Sequence, residues 1–220
     1  PTTITTINTY AFANCTGLTS VNRDMLPATT LTGSCYARMF LNCTSLTNAP
    51  NLPASYVYGF GYGQMFKGCT SLATAPVISA TGTGTQSFIE MFAGCTSLTT
   101  PPDLSNISGL GYECYAGMFG GCTSLTTLPA LSQTIAPGCY RAMFQGCTSL
   151  TTAPQSDLES PLKHSMHLQS PQWISHPFRK NQIGAGLQKN GPPDPVRPVI
   201  VVRESPQTCL DAADNQRRLF

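Results

Sequence analysis

The sequence predicts a right-handed α/β solenoid of about six coils, each a short helix followed by a short parallel strand, with an irregular C-terminal tail. Three observations carry that expectation. The phrase Met-Phe-x-x-Cys-Thr-Ser-Leu begins at Met39, Met65, Met91, Met118 and Met143, and a degenerate copy begins at Ala11. The anchoring cysteines are Cys15, Cys43, Cys69, Cys95, Cys122 and Cys147, so the steps between them are 28, 26, 26, 27 and 25 residues. Finally, apolar residues recur at fixed places within each unit. A lone unit of that length cannot bury enough apolar surface to fold, whereas stacked units can.

The helix is predicted first. Cys35, Met39 and Cys43 are spaced i, i+4, i+8, and Tyr36 and Phe40 form a parallel i, i+4 pair, which makes one stripe of a short helix apolar. The stripe returns at Cys114, Tyr115, Met118 and Phe119, and at Cys139, Tyr140, Met143 and Phe144. Before each anchoring cysteine stands Asn14, Asn42, Gly68, Gly94, Gly121 or Gly146, the two residue types that accept the left-handed conformation closing a helix.

A strand is expected next. Leu46, Leu72, Leu98, Leu125 and Leu150 lie three residues after the cysteine and lead into a threonine-rich segment. Threonine favours extended backbone, so a parallel ladder is placed there with one strand per coil, about 4.8 Å apart. Pro50, Pro76, Pro102, Pro129 and Pro154 share one column and cannot donate to a ladder, so the strands should be short, about three residues. A second apolar site follows at Leu26, Leu52, Val77 or Ile78, Leu104 and Leu131, and variable stretches such as 80–87 and 105–112 close the coil.

Composition divides the chain near Pro154. Residues 1–154 carry Arg23, Arg38, Lys67 and Arg141 against Asp24, Glu90, Asp103 and Glu113, a neutral and charge-poor segment. Residues 155–220 carry eight basic and six acidic groups, His164, His167 and His176, Trp173 and eight prolines. The expected domains are therefore the solenoid at 1–154 and a disordered or loosely packed tail at 155–220, in which Val199–Val202 is the only strand-like run. The formal charge of +2 builds no basic stripe, which argues against nucleic-acid binding. No run of eighteen apolar residues is present, so no transmembrane segment is expected. A start at Pro1, inside a repeat, reads as a fragment of a longer protein, so the lack of a signal peptide leaves export open.

Ten cysteines raise the question of disulfides and metals. Cysteines one coil apart would lie about 5 Å apart, within bridging range, yet side chains in a ladder column run parallel. Buried free thiols are the expectation, with a bridge between coils still geometrically open. No Cys-x-x-Cys pair occurs, and His164, His167, His176 and Cys209 fit no zinc spacing, so no metal and no cofactor is expected. Gly184–Gly186 lacks the Lys-Ser/Thr of a phosphate loop. The repeat domain has no histidine, and its four carboxylates fall at unrelated positions of the unit, so no catalytic residue is nominated. The candidate binding face is the row Thr47, Thr74, Thr100, Thr127 and Thr152, on the exposed face where solenoids present contacts. Its plainer meaning is that threonine is a soluble strand former. A flat ice-binding array is disfavoured, because adjacent threonines on a strand point to opposite faces.

These residues resemble the leucine-rich repeats of the BspA-like type. Phe40, Cys43, Leu46 and Pro50, with their counterparts in later coils, match the aromatic-x-x-Cys-x-x-Leu, strand and Pro pattern over residues 10–154. The departures are Ala49, Ala75 and Pro102 where a larger aliphatic residue is usual, and the tail, which matches nothing in the pattern. The resemblance implies adhesion and protein binding at a bacterial cell surface or after secretion, not catalysis; the expected state is a monomer, and the expected partner is a protein or glycan on a host or neighbouring cell. A structural spacer is the alternative, and a glycan- or peptide-acting enzyme is a more distant one.

Overall fold

The computed structural model describes residues 9–31, 33–132 and 134–150. The tail, Thr152 and Pro154 lie outside them, as does the expected boundary at residue 154. Within them the chain coils and stacks layer on layer, and hydrogen bonds join positions one repeat apart.

The predicted helix does not form, and among the described residues there is no helix at all. The segment from Phe60 to Cys69 shows what replaces it. The N–H groups of Phe60, Tyr62, Gln64, Phe66 and Gly68 donate to the carbonyls of Thr85, Ser87, Ile89, Met91 and Ala93 in the next coil, at 2.8–3.0 Å. The intervening N–H groups of Gly61, Gly63, Met65, Lys67 and Cys69 each donate three residues back, at 2.8–3.2 Å. All ten donors are satisfied, half by tight turns within the coil and half by the neighbouring coil, so backbone pairing leaves nothing for a helix to improve. Every second turn takes positive φ at its third residue: Phe60 (59°), Gln64 (57°) and Gly68 (77°) in this coil, then Gln86 (55°), Glu90 (49°) and Gly94 (76°) in the next. The left-handed conformation expected before each anchoring cysteine is present at all six positions, from Asn14 (61°) to Gly146 (77°). It closes a run of turns rather than a helix.

The i, i+4 stripes are buried as expected, because a turn pattern that repeats every four residues also returns side chains to one face. Met39, Met65, Met91, Met118 and Met143 are fully buried, as are Cys43, Cys69, Cys95 and Cys122. Phe12, Phe40, Phe66, Phe92, Phe119 and Phe144 form a continuous stack, with centroids 5.4–5.7 Å apart and planes within 9° of parallel. Tyr36, Tyr62, Phe88, Tyr115 and Tyr140 form a second column at 5.7–5.9 Å. Offset ring pairs add about 0.5–1.5 kcal/mol each beyond burial, so these columns couple the layers that single coils cannot stabilise.

The parallel ladder is thinner than predicted and lies elsewhere. Strand β1 (Tyr56–Val57) pairs in parallel with β2 (Gly82–Thr83), in a stretch expected only to close the coil. At the threonine site the expected three-residue strands reduce to a single bridge, Thr74 to Thr100. The second apolar site supplies two more, Leu52 to Ile78 and Leu104 to Leu131. Pro50, Pro76, Pro102 and Pro129 are buried in between, and the donors they lack explain why pairing stops there.

Candidate interaction surface

The anchoring cysteines define the interior against which any surface is built. Each thiol donates to a phenylalanine carbonyl of the preceding coil: Cys43 to Phe12, Cys69 to Phe40, Cys95 to Phe66, Cys122 to Phe92 and Cys147 to Phe119, with Sγ–O distances of 3.0–3.1 Å. The same carbonyls also accept the N–H three residues on, as Phe66 does from Cys69 at 3.0 Å, so both acceptor directions are filled. The nine described cysteines are buried, as expected, and Cys69, Cys95, Cys114, Cys122, Cys139 and Cys147 are unbridged thiols. Burial pushes Cys69 and Cys122 up to about 12 and Cys147 up to about 11, and Cys95 rises well above the usual thiol range for the same reason. The thiols thus stay protonated as donors and are poor nucleophiles.

The threonine row divides on inspection. Thr74, Thr100 and Thr127 are exposed, and Thr74 pairs directly with Thr100. Thr47 is exposed too but belongs to the neighbouring column, one position earlier in the repeat. Its backbone N–H and hydroxyl both donate to the Thr19 carbonyl, at 3.0 and 2.9 Å. The position in that coil equivalent to Thr74 is Asn48, whose amide exchanges hydrogen bonds with the Val21 backbone at 3.0 and 2.8 Å. Many threonine hydroxyls serve the stack itself. Thr70 donates to Thr44, Thr96 to Thr70 and Thr99 to Ala73, at 3.2–3.4 Å. What remains as a candidate contact row is Thr74, Thr100 and Thr127.

A polar ladder runs over the turn face, and sequence reasoning missed it. Arg38 lies over the rings of Tyr10 and Phe60, at 5.2 and 5.0 Å, and donates to the Tyr10 hydroxyl and to Gln64. Gln64 donates to Glu90 at 2.7 Å, and Lys67 pairs with Glu90 at 2.6 Å. Partial desolvation works against the Glu90 charge, but the hydrogen bonds from Lys67 and Gln64 and the nearby cations outweigh it and hold the carboxyl below its usual range. Glu113 is served by Gln86 at 2.8 Å and Arg141 at 2.9 Å. Both carboxylates are thereby committed to partners within the structure. The signal was a four-residue spacing of turn positions that hold ordinary residues rather than Gly or Asn.

Two further surface features stand out. A shallow groove of about 410 Å³ is lined by Arg23, Asp24, Leu26, Pro27, Asn51, Pro53, Val77 and Ser79. It offers one guanidinium, one carboxylate and an amide, with no thiol or imidazole among its lining. Exposed aromatic rings at Tyr56, Tyr58 and Tyr112 form the other feature. Among the described residues no cluster of three metal-ligating side chains occurs, and no helix is long and apolar enough to cross a membrane.

Stacked coils held by columns of Leu, Cys and Phe, with short parallel bridges between them, define a leucine-rich repeat protein. The chain belongs to the BspA type of that class: residues 1–120 match the BspA type leucine rich repeat region in six copies. Those residues hold four of the anchoring cysteines, so family copies and coils do not correspond one to one, and the backbone ladder between coils continues beyond the match to Gln145, whose carbonyl accepts from the Gly121 N–H at 2.7 Å. Repeats of this family generally serve protein interaction or adhesion. A solved structure that the chain resembles is a leucine-rich repeat protein from Bacteroides ovatus ATCC 8483, at 18% identity and a TM-score of 0.38, covering 67% of this chain and 34% of that one. The chain therefore spans about a third of that protein's length. No curated protein sequence matches it.

Proposed function

We propose that the chain is a non-catalytic binding scaffold of a bacterial surface or secreted protein, mediating adhesion or protein interaction through the exposed Thr74, Thr100 and Thr127 row and the adjoining loops. The observation that carries this reading is the use of the repeat's interior chemistry. The thiols are committed to backbone carbonyls and Glu90 and Glu113 to cation and amide partners, which leaves a regular polar face as the feature free to vary in service of a partner. The solenoid acts as a monomer at 1–154, outside the cell, and the 155–220 segment serves as an appendage to it.

The test is a pull-down from host surface extracts with the full chain and with a Thr74→Glu, Thr100→Glu, Thr127→Glu variant. A partner held by the first and lost by the second supports the scaffold. If neither chain captures a partner, a spacer role replaces it. Turnover of a glycan or peptide panel would instead favour an enzyme.

A further inference from the structure

The segments 54–60, 79–87, 104–112 and 131–132 with 134–137 stack through the pairing of Tyr56 with Gly82 and of Gly82 with Gly109, and through the bridge from Leu104 to Leu131. None of them contains Asp, Glu, Lys or Arg. On this uncharged strip stand four of the large exposed hydrophobic residues: Tyr56, Tyr58, Tyr112 and Ile135.

Tyr56 is 41% exposed, yet it is fixed. Its ring lies over Gly82, where an added Cβ would come within 3.0 Å of two ring carbons. Its hydroxyl donates to the Thr83 carbonyl at 3.2 Å, and Tyr58 braces it with ring centroids 4.7 Å apart at a 55° tilt. Beyond Gly82 the next coil contributes Gly109, exposed and without a side chain. One side of the ring therefore rests on backbone, and the space next to it is open. The exposed polar groups of these segments, Thr81, Thr85, Asn106 and Ser108, are neutral donors and acceptors, and the Asp103 carboxylate lies at the strip's edge, where it accepts from the Ser105 N–H at 2.9 Å.

We propose that Tyr56, braced by Tyr58 and flanked by Gly109, is a stacking platform for a pyranose ring of a neutral glycan. The negative face of an aromatic ring attracts the polarised C–H groups on the flat side of a sugar, and neutral hydroxyls serve its equatorial oxygens. Size favours a sugar over a protein. A tyrosine buries about 150–250 Å² when covered. At 41% and 50% exposure Tyr56 and Tyr58 together offer about 200 Å², against about 800 Å² per partner in a stable protein interface. The site is separate from the threonine row, so its fate does not decide the scaffold reading.

The test is saturation-transfer NMR on the full chain with cellohexaose, laminarihexaose, mannohexaose and N-acetylchitohexaose as probes. The expected result is transfer to ring protons of at least one of them, abolished by Tyr56→Ala and kept by Tyr56→Trp. Gly109→Gln guards against a folding artefact. Its Cβ would come no nearer than 3.6 Å to Gly82, so the melting midpoint should hold while the signal is lost to the filled space. Transfer from none of the four hexasaccharides, or transfer unaltered by Tyr56→Ala and Gly109→Gln, overturns the proposal. So does a protein partner that shields Tyr56 while every sugar leaves it untouched. In that last case the pull-down succeeds, and only the glycan assignment fails.

Discussion

Replacing Cys95 separates two explanations for the cysteine column, a donor role and simple space filling. Cys95 is fully buried and donates to the Phe66 carbonyl at 3.1 Å. Cys95→Ala loses one hydrogen bond, about 1 kcal/mol net, and the burial of one heavy atom, about 0.8 kcal/mol. The total is about 2 kcal/mol. Cys95→Ser keeps the donor and gives up only the sulfur's apolar contact, about 1 kcal/mol. The predicted order is wild type, then Ser, then Ala. Were the thiol only filling space, the order of the two variants would reverse, because a buried hydroxyl without a partner costs about 1–3 kcal/mol. Guanidinium midpoints by circular dichroism at constant m-value read this directly. An alanine variant more stable than the serine variant refutes the donor role.

Three other outcomes are expected. The usual thiol value of 9.0 applies to the unfolded chain, and burial raises Cys69 and Cys122 to about 12, so their contribution to stability is complete below pH 9 and declines as pH rises toward 12. Each loses about 1.4 kcal/mol between pH 8 and pH 10, and a denaturation midpoint that stays level across that interval contradicts the burial argument. Gly94 sits at φ 76° with room for a Cβ, 3.7 Å from Gly68, so Gly94→Ala should cost about 1–2 kcal/mol from backbone strain alone and Gly94→Asn clearly less; equal midpoints for the two would count against strain. The Tyr115 hydroxyl is buried and meets no hydrogen-bond partner among the described residues, and Phe88 already occupies the same column. Tyr115→Phe should therefore be neutral or stabilising by up to about 1 kcal/mol, and a lowered thermal midpoint would show that the hydroxyl is held.

The stacked repeat, the inward rows and the left-handed position before each cysteine were legible because they rest on invariant chemistry: Met39, Phe40, Cys43 and Leu46 recur in kind, and Gly or Asn marks one turn in every coil. The helix was misread because Cys35, Met39 and Cys43 repeat every four residues, which a helix of 3.6 residues per turn and a chain of tight turns both satisfy over so short a span. Glycine would have betrayed the turns, but Arg38, Gln64 and Glu90 occupy the other positive-φ sites. Their strain coincides with the hydrogen bonds they exchange between coils, a compensation that no single unit displays. Thr47 was grouped with Thr74 because both lie in threonine-rich runs after a leucine, although counting from Cys43 and Cys69 already puts it one position out of column, and its pairing with Thr19 bears that count out. The Tyr56 platform was invisible for a related reason: it depends on Gly82 and Gly109 lying in successive coils beneath it, in stretches whose sequence varies from unit to unit.

The central claim is that the segment around each Met-Phe pair bonds to the next layer rather than along its own axis. Scalar coupling across hydrogen bonds by NMR measures that partner choice. The account predicts coupling from the Phe66 N–H to the Met91 carbonyl and from the Gln64 N–H to the Ile89 carbonyl. Coupling from Phe66 to Tyr62 and from Gly68 to Gln64, four residues back, would mean a helix and would contradict it.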